Sequence, residues 1–354
     1  MKPTVIDLFC GIGGLSKGFE MAGFDIILGI DNWPVALETF QKNHKNTKTV
    51  NADITLIKDE FFEVYKNKVD VVIAGPPCQG FSMAGKRDIN DPRNSLFEEV
   101  IRAVKILNPK IVLIENVVGL LSMKIPEGQL VRDLIMNRLR DEGYDTECRI
   151  LNASDYGVPQ NRRRVIFIGS KIGKIGFPEP TKRTVTVGDA LGNIPNVGSN
   201  NYLNASNNFQ KAMSNGTKII YNHEISNHGA AIIKRMSFVP PGGNWRDIPK
   251  RYYNVGGEHS NNYRRLDPKK PAITIKHATK SMIIHPWYNR CLTVREAARL
   301  QSFPDDFVLY GTKFEQHQQL ANAVPPLLAF EISKHLIGKL SAKPGAKIQK
   351  RTGE

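Results

Sequence analysis

The chain has 354 residues, of which 41% are hydrophobic, so it can build an apolar core and is not disordered throughout. No window approaches the roughly 18 apolar residues of a membrane span, and the N-terminus runs into a strand-like segment without signal-peptide character. We therefore expect a soluble, cytoplasmic protein with no membrane partner. The four cysteines form no C-x-x-C pair, which argues against a zinc site or a disulfide framework. The net charge of +15 favours nucleic acid as a partner over a merely solvated surface.

The first half of the chain alternates short apolar runs with segments of helical periodicity. This alternation predicts an α/β fold with a doubly wound, mostly parallel sheet and helices on both faces. In such sheets, ligands bind beyond the carboxyl ends of the strands. The predicted strands are 4–9, 26–30, 69–74, 111–115 and 164–170, and the predicted helices include 95–107, 129–142, 294–301 and 327–340.

Residues 176–262 differ in character, because they are rich in Asn, Gly and Pro and show weak periodicity. This composition predicts a smaller second domain dominated by loops and short strands. The stretch 234–280 is strongly basic and has aromatic residues interleaved with its cations, a pattern that favours nucleic-acid contact. The final residues, 341–354, are expected to form a disordered basic tail.

A glycine-rich turn follows the first predicted strand, at Gly11, Gly13 and Gly14. Glycines allow a ligand to approach the backbone and the N-terminus of the next helix closely. Ser16 occupies the third glycine position of a G-x-G-x-x-G motif, which argues against a dinucleotide pyrophosphate. The turn by itself is a weak signal.

Asp31 ends the second predicted strand, and Asp53 ends a further strand expected between that one and 69–74. A carboxylate suits ribose hydroxyls at the first position and an adenine amino group at the second. Either residue alone is more often a cap or turn residue. Together with the glycine turn, they indicate a ligand that contains adenosine but no diphosphate, and S-adenosylmethionine fits that description.

Cys78 follows the apolar strand 69–74 and the sequence Gly75-Pro76-Pro77. An isolated cysteine is usually a small buried hydrophobic residue. Here the two prolines end the strand and place the thiol at the functional edge of the sheet, where a site that favours the thiolate would make it a nucleophile. The polar, glycine-containing residues 83–95 suit a loop that closes over substrate.

Polar side chains mark two further strands. Glu115 ends the apolar strand 111–115, where it is either exposed at the same edge or buried for a purpose. Gln160, Arg162 and Arg164 alternate at the start of the strand 164–170, so a period of two puts them on one face. The alternative is that the arginines are surface residues on an edge strand.

These residues belong to motifs whose order resembles that of the DNA (cytosine-5) methyltransferases of bacterial restriction-modification systems. The resemblance covers nearly the whole chain apart from residues 176–262 and the tail. The motifs are DLFCGIGG, NADIT, GPPCQGFS, ENV and QNRRR, followed by RRLDPKKPAITI, LTVREAARLQSFPDDF and NAVPP.

The resemblance implies a chemical role for four residues. Cys78 would add to carbon 6 of cytosine, which makes carbon 5 nucleophilic. Glu115 would donate a hydrogen bond or a proton at N3, while Arg162 and Arg164 would orient the base through O2 and brace the catalytic loop. Because a stacked base cannot be reached, the cytosine must flip out of the duplex.

The resemblance also implies a pocket for S-adenosylmethionine, with S-adenosylhomocysteine as product and no metal. Phe9 would stack on the adenine, Gly11, Gly13 and Gly14 would border the methionine moiety, Asp31 would hold the ribose, and Asp53 and Ile54 would contact the adenine. Asn322 and Val324 would close the pocket from the far end of the chain. The remaining pocket residues are Asn32, Pro77 and Leu96. Asn32 stands where the family often has an aromatic residue, and Ala321 where it usually has glycine.

At the level of domains, the resemblance implies a catalytic and cofactor-binding domain of residues 1–175, completed by 313–340. Residues 176–312 would then form the target-recognition domain, and 341–354 the tail. The expected partner is double-stranded DNA, bound by a monomer, with a restriction endonuclease acting on the same site.

Two other functions remain open. One is an RNA (tRNA) cytosine-5 methyltransferase of the same family, although a recognition region of this size favours a duplex groove. The other is a catalytically silent DNA-binding homologue. A nicotinamide oxidoreductase is disfavoured by the missing third glycine.

Overall fold

The structure is a computed structural model that describes residues 2–77, 96–126, 128–181, 183–196, 201–253 and 261–341. Three features predicted from the sequence lie outside these ranges. They are the nucleophile Cys78, the loop 83–95 and nearly all of the tail 341–354.

A seven-stranded sheet forms the centre of the molecule, in the order β3-β2-β1-β4-β5-β7-β6. The first five strands in this order are parallel, whereas β7 runs antiparallel to both β5 and β6. The predicted mostly parallel sheet is thus confirmed, and only β6 had no counterpart in the sequence analysis. The strands are β1 (Thr4–Leu8), β2 (Asp25–Asp31), β3 (Lys48–Asn51), β4 (Val71–Ala74), β5 (Ile111–Val117), β6 (Asp145–Asn152) and β7 (Arg163–Ser170).

Helices cover both faces of the sheet, because alternate residues of each central strand point to opposite faces. Val72 and Ala74 of β4 enter a core with α4 and α5. Val71 and Ile73 enter a second core with α1, α2 and α11. The helices of this layer are α1 (Gly14–Met21), α2 (Pro34–Asn43), α3 (Asp59–Glu63), α4 (Leu96–Leu107) and α5 (Val131–Asp141), and the chain later adds α10 (Lys313–Asn322) and α11 (Pro326–Leu340).

The last helix returns to the beginning of the fold. α11 packs on α1 so closely that a Cβ atom at Gly18 would lie 2.5 Å from the Pro326 carbonyl oxygen and would also overlap the Ala329 side chain. Glycine at position 18 is therefore a requirement of this helix contact. The contact is the one expected if residues 313–340 complete the first domain, whose bounds remain a prediction.

Residues 176–312 contain short helices and long irregular segments. The predicted short strands are wrong for the described part of this region, where β pairing is limited to isolated bridges such as Asn201 with Ile219. Buried arginines donate to its backbone carbonyls instead, among them Arg265 and Arg295. The helices are α6 (Val187–Leu191), α7 (Asn208–Ser214), α8 (Ala230–Ser237) and α9 (Val294–Leu300). None of the helices in the described ranges has the length and apolar character needed to span a bilayer.

Candidate active site

The register of the sheet brings four chain segments to one edge. Leu8 of β1 pairs with Ile30 of β2 and with Ala74 of β4, and Ala74 pairs with Ile114 of β5. The residues that follow these positions therefore emerge at one level. They are Phe9, Asp31, Gly75 and Glu115, each in a motif predicted to be functional.

The turn after β1 has an unusual backbone. Phe9, Gly11 and Gly13 have positive φ angles of 59°, 52° and 84°. For the half-buried Phe9 a positive φ is a strained conformation, and strained backbone of this kind is concentrated at functional sites. Among the described residues, no atom lies within 4 Å of where a Cβ atom on Gly11 would be. The face of Gly11 is therefore open to a ligand.

The other two glycines are required for packing. A Cβ atom at Gly13 would overlap the His44 ring and lie 2.8 Å from Phe40, and one at Gly14 would overlap the Val324 carbonyl oxygen. Only their backbone can therefore border a ligand. The contact between Gly14 and Val324 also shows that the NAVPP motif closes onto the glycine turn.

Asp31 links the ends of β1 and β2. Its carboxylate accepts hydrogen bonds from the backbone N–H groups of Gly11 (2.7 Å) and Trp33 (2.8 Å), one on each oxygen. Each oxygen keeps a second lone pair for a hydroxyl donor. Burial raises the pKa of Asp31, and the bonds from Trp33 and Gly11 oppose that rise. Asn32 is exposed, whereas Trp33 packs into a hydrophobic cluster with Ile12.

Asp53 lies two residues beyond the end of β3 and is exposed. One of its oxygens, Oδ1, accepts from the N–H (3.0 Å) and the hydroxyl (2.8 Å) of Thr55. Asp53 thereby caps a short 3₁₀ turn. The cap interpretation is thus confirmed, and the two capping bonds leave the other oxygen, Oδ2, unused. Ile54 is buried beneath this turn. Leu96, at the start of α4, packs against the same core.

Glu115 is a buried carboxylate at the end of β5, 8% exposed, with Arg164 Nε 2.7 Å from its Oε1 atom. Burial raises the pKa of Glu115, and the charges of Arg164 and Arg162 oppose part of that rise. A carboxyl group with a raised pKa is suited to donate a proton near neutral pH.

The segment that leads to Cys78 passes directly over Glu115. A Cβ atom at Gly75 would lie 3.7 Å from Glu115 Oε2, and the Asn116 side chain donates a buried 3.1 Å hydrogen bond to the Pro76 carbonyl. The ENV motif therefore anchors the Gly75–Pro77 backbone, of which Pro77 is the last described residue.

The predicted alternation before β7 is confirmed by burial. Gln160 and Arg162 are at most 1% exposed and the Arg164 side chain is 12% exposed, whereas Asn161 and Arg163 between them are exposed. Because β7 lies between β5 and β6, the alternative of arginines on an edge strand is wrong. Arg162 donates to the carbonyl of Ala321 at 2.7 Å, and burial followed by the charge of Arg164 lowers its pKa well below the usual value.

Two residues beneath the turn have roles that were not predicted from the sequence. Ser16 donates a 2.6 Å hydrogen bond to Asp7, a fully buried carboxyl in β1. Burial raises the pKa of Asp7 to about 8, so this group is largely protonated in the folded protein at neutral pH. An aspartate inside an otherwise apolar strand was the available signal.

Comparison with solved structures places this arrangement in a known class. A crystal structure described as a DNA modification methyltransferase encoded within an E. coli prophage superposes with a TM-score of 0.80 at 29% identity, over 96% of this chain and 100% of that one. The fold with its strand-edge site is that of a methyltransferase.

The sequence comparisons are more specific. The model of the C-5 cytosine-specific DNA methylase family matches residues 3–338. Type II methyltransferase M1.HphI of Haemophilus parahaemolyticus is 42% identical, over 95% of this chain and 87% of its own length. Type II methyltransferase M.DdeI of Desulfomicrobium norvegicum is 36% identical, over 94% and 88%. The chain belongs to the C-5 cytosine-specific DNA methylase family and is a DNA (cytosine-5) methyltransferase.

Proposed function

We propose that this enzyme methylates carbon 5 of a flipped-out cytosine in one duplex DNA sequence, through a covalent bond between Cys78 and carbon 6. It would act as the modification enzyme of a restriction-modification system, as a monomer, with an endonuclease that cuts the same sequence. The observation that carries the proposal is the buried Glu115–Arg164 pair beneath the backbone that leads to Cys78.

The strand edge fits S-adenosylmethionine, which would supply an electrophilic methyl group. Gly11 offers an open backbone face, and Asp31 keeps a lone pair on each oxygen. The half-buried ring of Phe9 is available for stacking. Oδ2 of Asp53, which takes no part in the capping bonds, can accept from an amino group. Val324, packed on Gly14, would close the pocket together with Asn322, beside Asn32, Pro77 and Leu96.

The chain's own groups can carry the proton and electron movements. The Cys78 thiolate would add to carbon 6 while Glu115 donates its proton at N3, so that carbon 5 becomes nucleophilic. Arg162 and Arg164 would hold the base through O2, and Arg164 also balances the charge that remains on Glu115. After carbon 5 gains its methyl group, loss of the carbon 5 proton to a base, departure of the Cys78 thiolate and return of the N3 proton to Glu115 would restore aromaticity.

Residues 176–312 would read the DNA as a domain separate from 1–175 and 313–340. Four cations between Lys234 and Arg251 lie over aromatic rings, and these rings pack into one hydrophobic cluster. This arrangement fixes the cations at the surface, where phosphate neutralisation would drive binding. The pairs are Lys234 over Phe238, Arg235 over Tyr253, Arg246 over Trp245 and Arg251 over Tyr252.

Methyl transfer to duplex DNA and to tRNA, measured side by side with the purified enzyme, tests the proposal. We expect labelled methyl groups in DNA only, and sequencing of methylated host DNA should show a single motif. Incorporation into tRNA alone would favour the RNA branch of the family, and no incorporation into any DNA would favour a silent homologue. A Cys78→Ser variant with the wild-type rate would disprove the covalent route.

A further inference from the structure

The C-terminal end of α10 is held by two side chains from distant parts of the chain. Gln301 donates to the Leu320 carbonyl at 2.8 Å, and Arg162 donates to the Ala321 carbonyl at 2.7 Å. The last carbonyls of a helix lack partners within the helix and carry the negative end of its dipole. A cationic donor is therefore favourable at this position.

Capping alone does not account for a buried arginine here. Gln301 satisfies the neighbouring carbonyl without a charge, whereas Arg162 is 1% exposed and its guanidinium had to be removed from water. The described structure shows no hydrogen-bond partner for Arg162 Nε or for either side-chain polar atom of Gln160. Polar groups so deeply buried and incompletely paired are typical of functional sites rather than of cores.

Arg162 lies between the two halves of the proposed reaction centre. On one side it lies two residues before Arg164, on the same face of the chain, and Arg164 Nε lies 2.7 Å from Glu115 Oε1. On the other side, the chain it holds at Ala321 continues for three residues to Val324, whose carbonyl packs on Gly14 of the glycine turn. Arg162 thus lies beside the Glu115–Arg164 pair on one side. On the other side it is connected to the proposed cofactor pocket through the short segment 321–324.

We propose that Arg162 is a positioning residue that couples cofactor binding to cytosine binding by holding the segment 321–324 against the glycine turn. The inference rests on the proposed function, since it needs both ligands. Coupling between two sites is reciprocal. S-adenosylhomocysteine should therefore tighten DNA binding, DNA should tighten S-adenosylhomocysteine binding by the same factor, and both effects should depend on Arg162.

Calorimetric titration of S-adenosylhomocysteine, with and without a cognate duplex, tests this for the full chain and four variants. We expect Arg162→Gln to weaken S-adenosylhomocysteine binding about tenfold and to reduce the coupling factor to near one. Arg162→Lys, which keeps the charge but only one donor nitrogen, should be intermediate. Arg164→Gln should leave binding of S-adenosylhomocysteine alone within about twofold of wild type, because Arg164 contacts Glu115 and not α10.

Gln301→Met provides the matched structural control. It removes a hydrogen bond from the same helix end without touching the Glu115–Arg164 pair. It should therefore lower the melting temperature while the coupling factor is kept. If Gln301→Met lost coupling as fully as Arg162→Gln, or if Arg162→Gln kept it, the inference would be wrong. Should Arg162→Gln fail to fold by circular dichroism, Arg162→Lys decides instead, and a coupling factor equal to that of wild type would then overturn the inference. A wild-type chain that bound no S-adenosylhomocysteine would instead overturn the proposed function.

Discussion

The two large regions of this methyltransferase are stabilised in different ways. In residues 2–175, the strands of one mostly parallel sheet satisfy the backbone and aliphatic side chains fill both faces, so that β4, Val71–Ala74, is buried throughout. In the described part of residues 176–312, β pairing is limited to isolated bridges, and buried arginines bond the carbonyls that a sheet would have paired. A guanidinium can do this because it presents five donors in one plane. The difference teaches that a loop-rich region depends on a few polar residues.

Arg265 is the strongest example, and its loss should have the largest effect. Its five hydrogen bonds reach the carbonyls of four residues and the side chain of a fifth. The partners are Met236, Val239, His285, Tyr288 and Asn289. Arg265→Met should cost more than about 4 kcal/mol, because several buried carbonyls lose their donor at once. Urea denaturation measures this loss, and Arg264→Met is the control, expected to cost less than about 1 kcal/mol. Equal costs for the two variants would contradict the comparison.

The next largest effect concerns Glu296, a buried carboxylate held by Arg290 at 2.9 and 2.7 Å. Burial alone would raise the pKa of Glu296, but the hydrogen bonds from Arg290 and the neighbouring charges lower it to about 2. Glu296→Gln should cost about 3 kcal/mol at pH 7, because it leaves the Arg290 charge buried without its partner.

The same substitution has a signature in acid. With a folded pKa of about 2 and an ordinary value of 4.5, the charged form of Glu296 stabilises the fold above pH 4.5, and this contribution is lost as the pH falls towards 2. Unfolding free energies measured from pH 6 to pH 2 should therefore fall less steeply for Glu296→Gln than for wild type. Parallel curves would show that this carboxylate does not contribute to acid sensitivity.

In the first region, shape matters more than charge. Gly14→Ala should cost about 1–3 kcal/mol, because the added methyl group overlaps the Val324 carbonyl oxygen and the closing segment must shift. Gly338→Ala is the matched control, since it also adds one methyl group to a helix, but at a position without a positive φ where no described atom lies within 4 Å of the new Cβ. Thermal unfolding of both variants makes the comparison, and a smaller loss for Gly14→Ala would show that the segment yields freely.

The smallest effect is expected at Asp7. Because burial raises its folded pKa to about 8, from an ordinary value of 3.8, the protonated form stabilises the fold at low pH, and this contribution is lost as the pH rises through about 8. Asp7→Asn resembles the protonated acid and can still accept from Ser16, so it should change stability by less than about 1 kcal/mol at pH 4. Denaturation at pH 4, 7 and 9 should show a flatter dependence for the variant than for wild type.

The sequence predicted what local pattern determines. Apolar runs predicted five of the seven strands, without counting β3, which was inferred from Asp53. A period of two predicted that Gln160, Arg162 and Arg164 share a buried face. The strand β6 was missed because its residues, Asp145–Asn152, mix exposed and buried positions without regular alternation.

Contacts between distant segments could not be read in this way. The bond from Arg162 to Ala321 joins residues 159 positions apart, and neither residue type signals its partner. The second region was predicted to contain short strands because loops and weak strands share a composition. Whether a loop or a strand forms depends on buried donors such as Arg265. The role of Arg265 is visible only in the folded chain.

The reversed direction of β7 has a consequence for how such a centre can be assembled at all. Parallel strands contribute only their last residues to the working edge of a sheet, whereas an inverted neighbour contributes its first ones. Val117 of β5 therefore pairs with Arg164, at the start of β7. Were β7 parallel, Arg164 would lie at the opposite rim, about 20 Å away for a strand of this length. The Glu115–Arg164 ion pair therefore depends on the reversed direction of β7. A redesign that made β7 parallel would separate the two residues without altering any side chain.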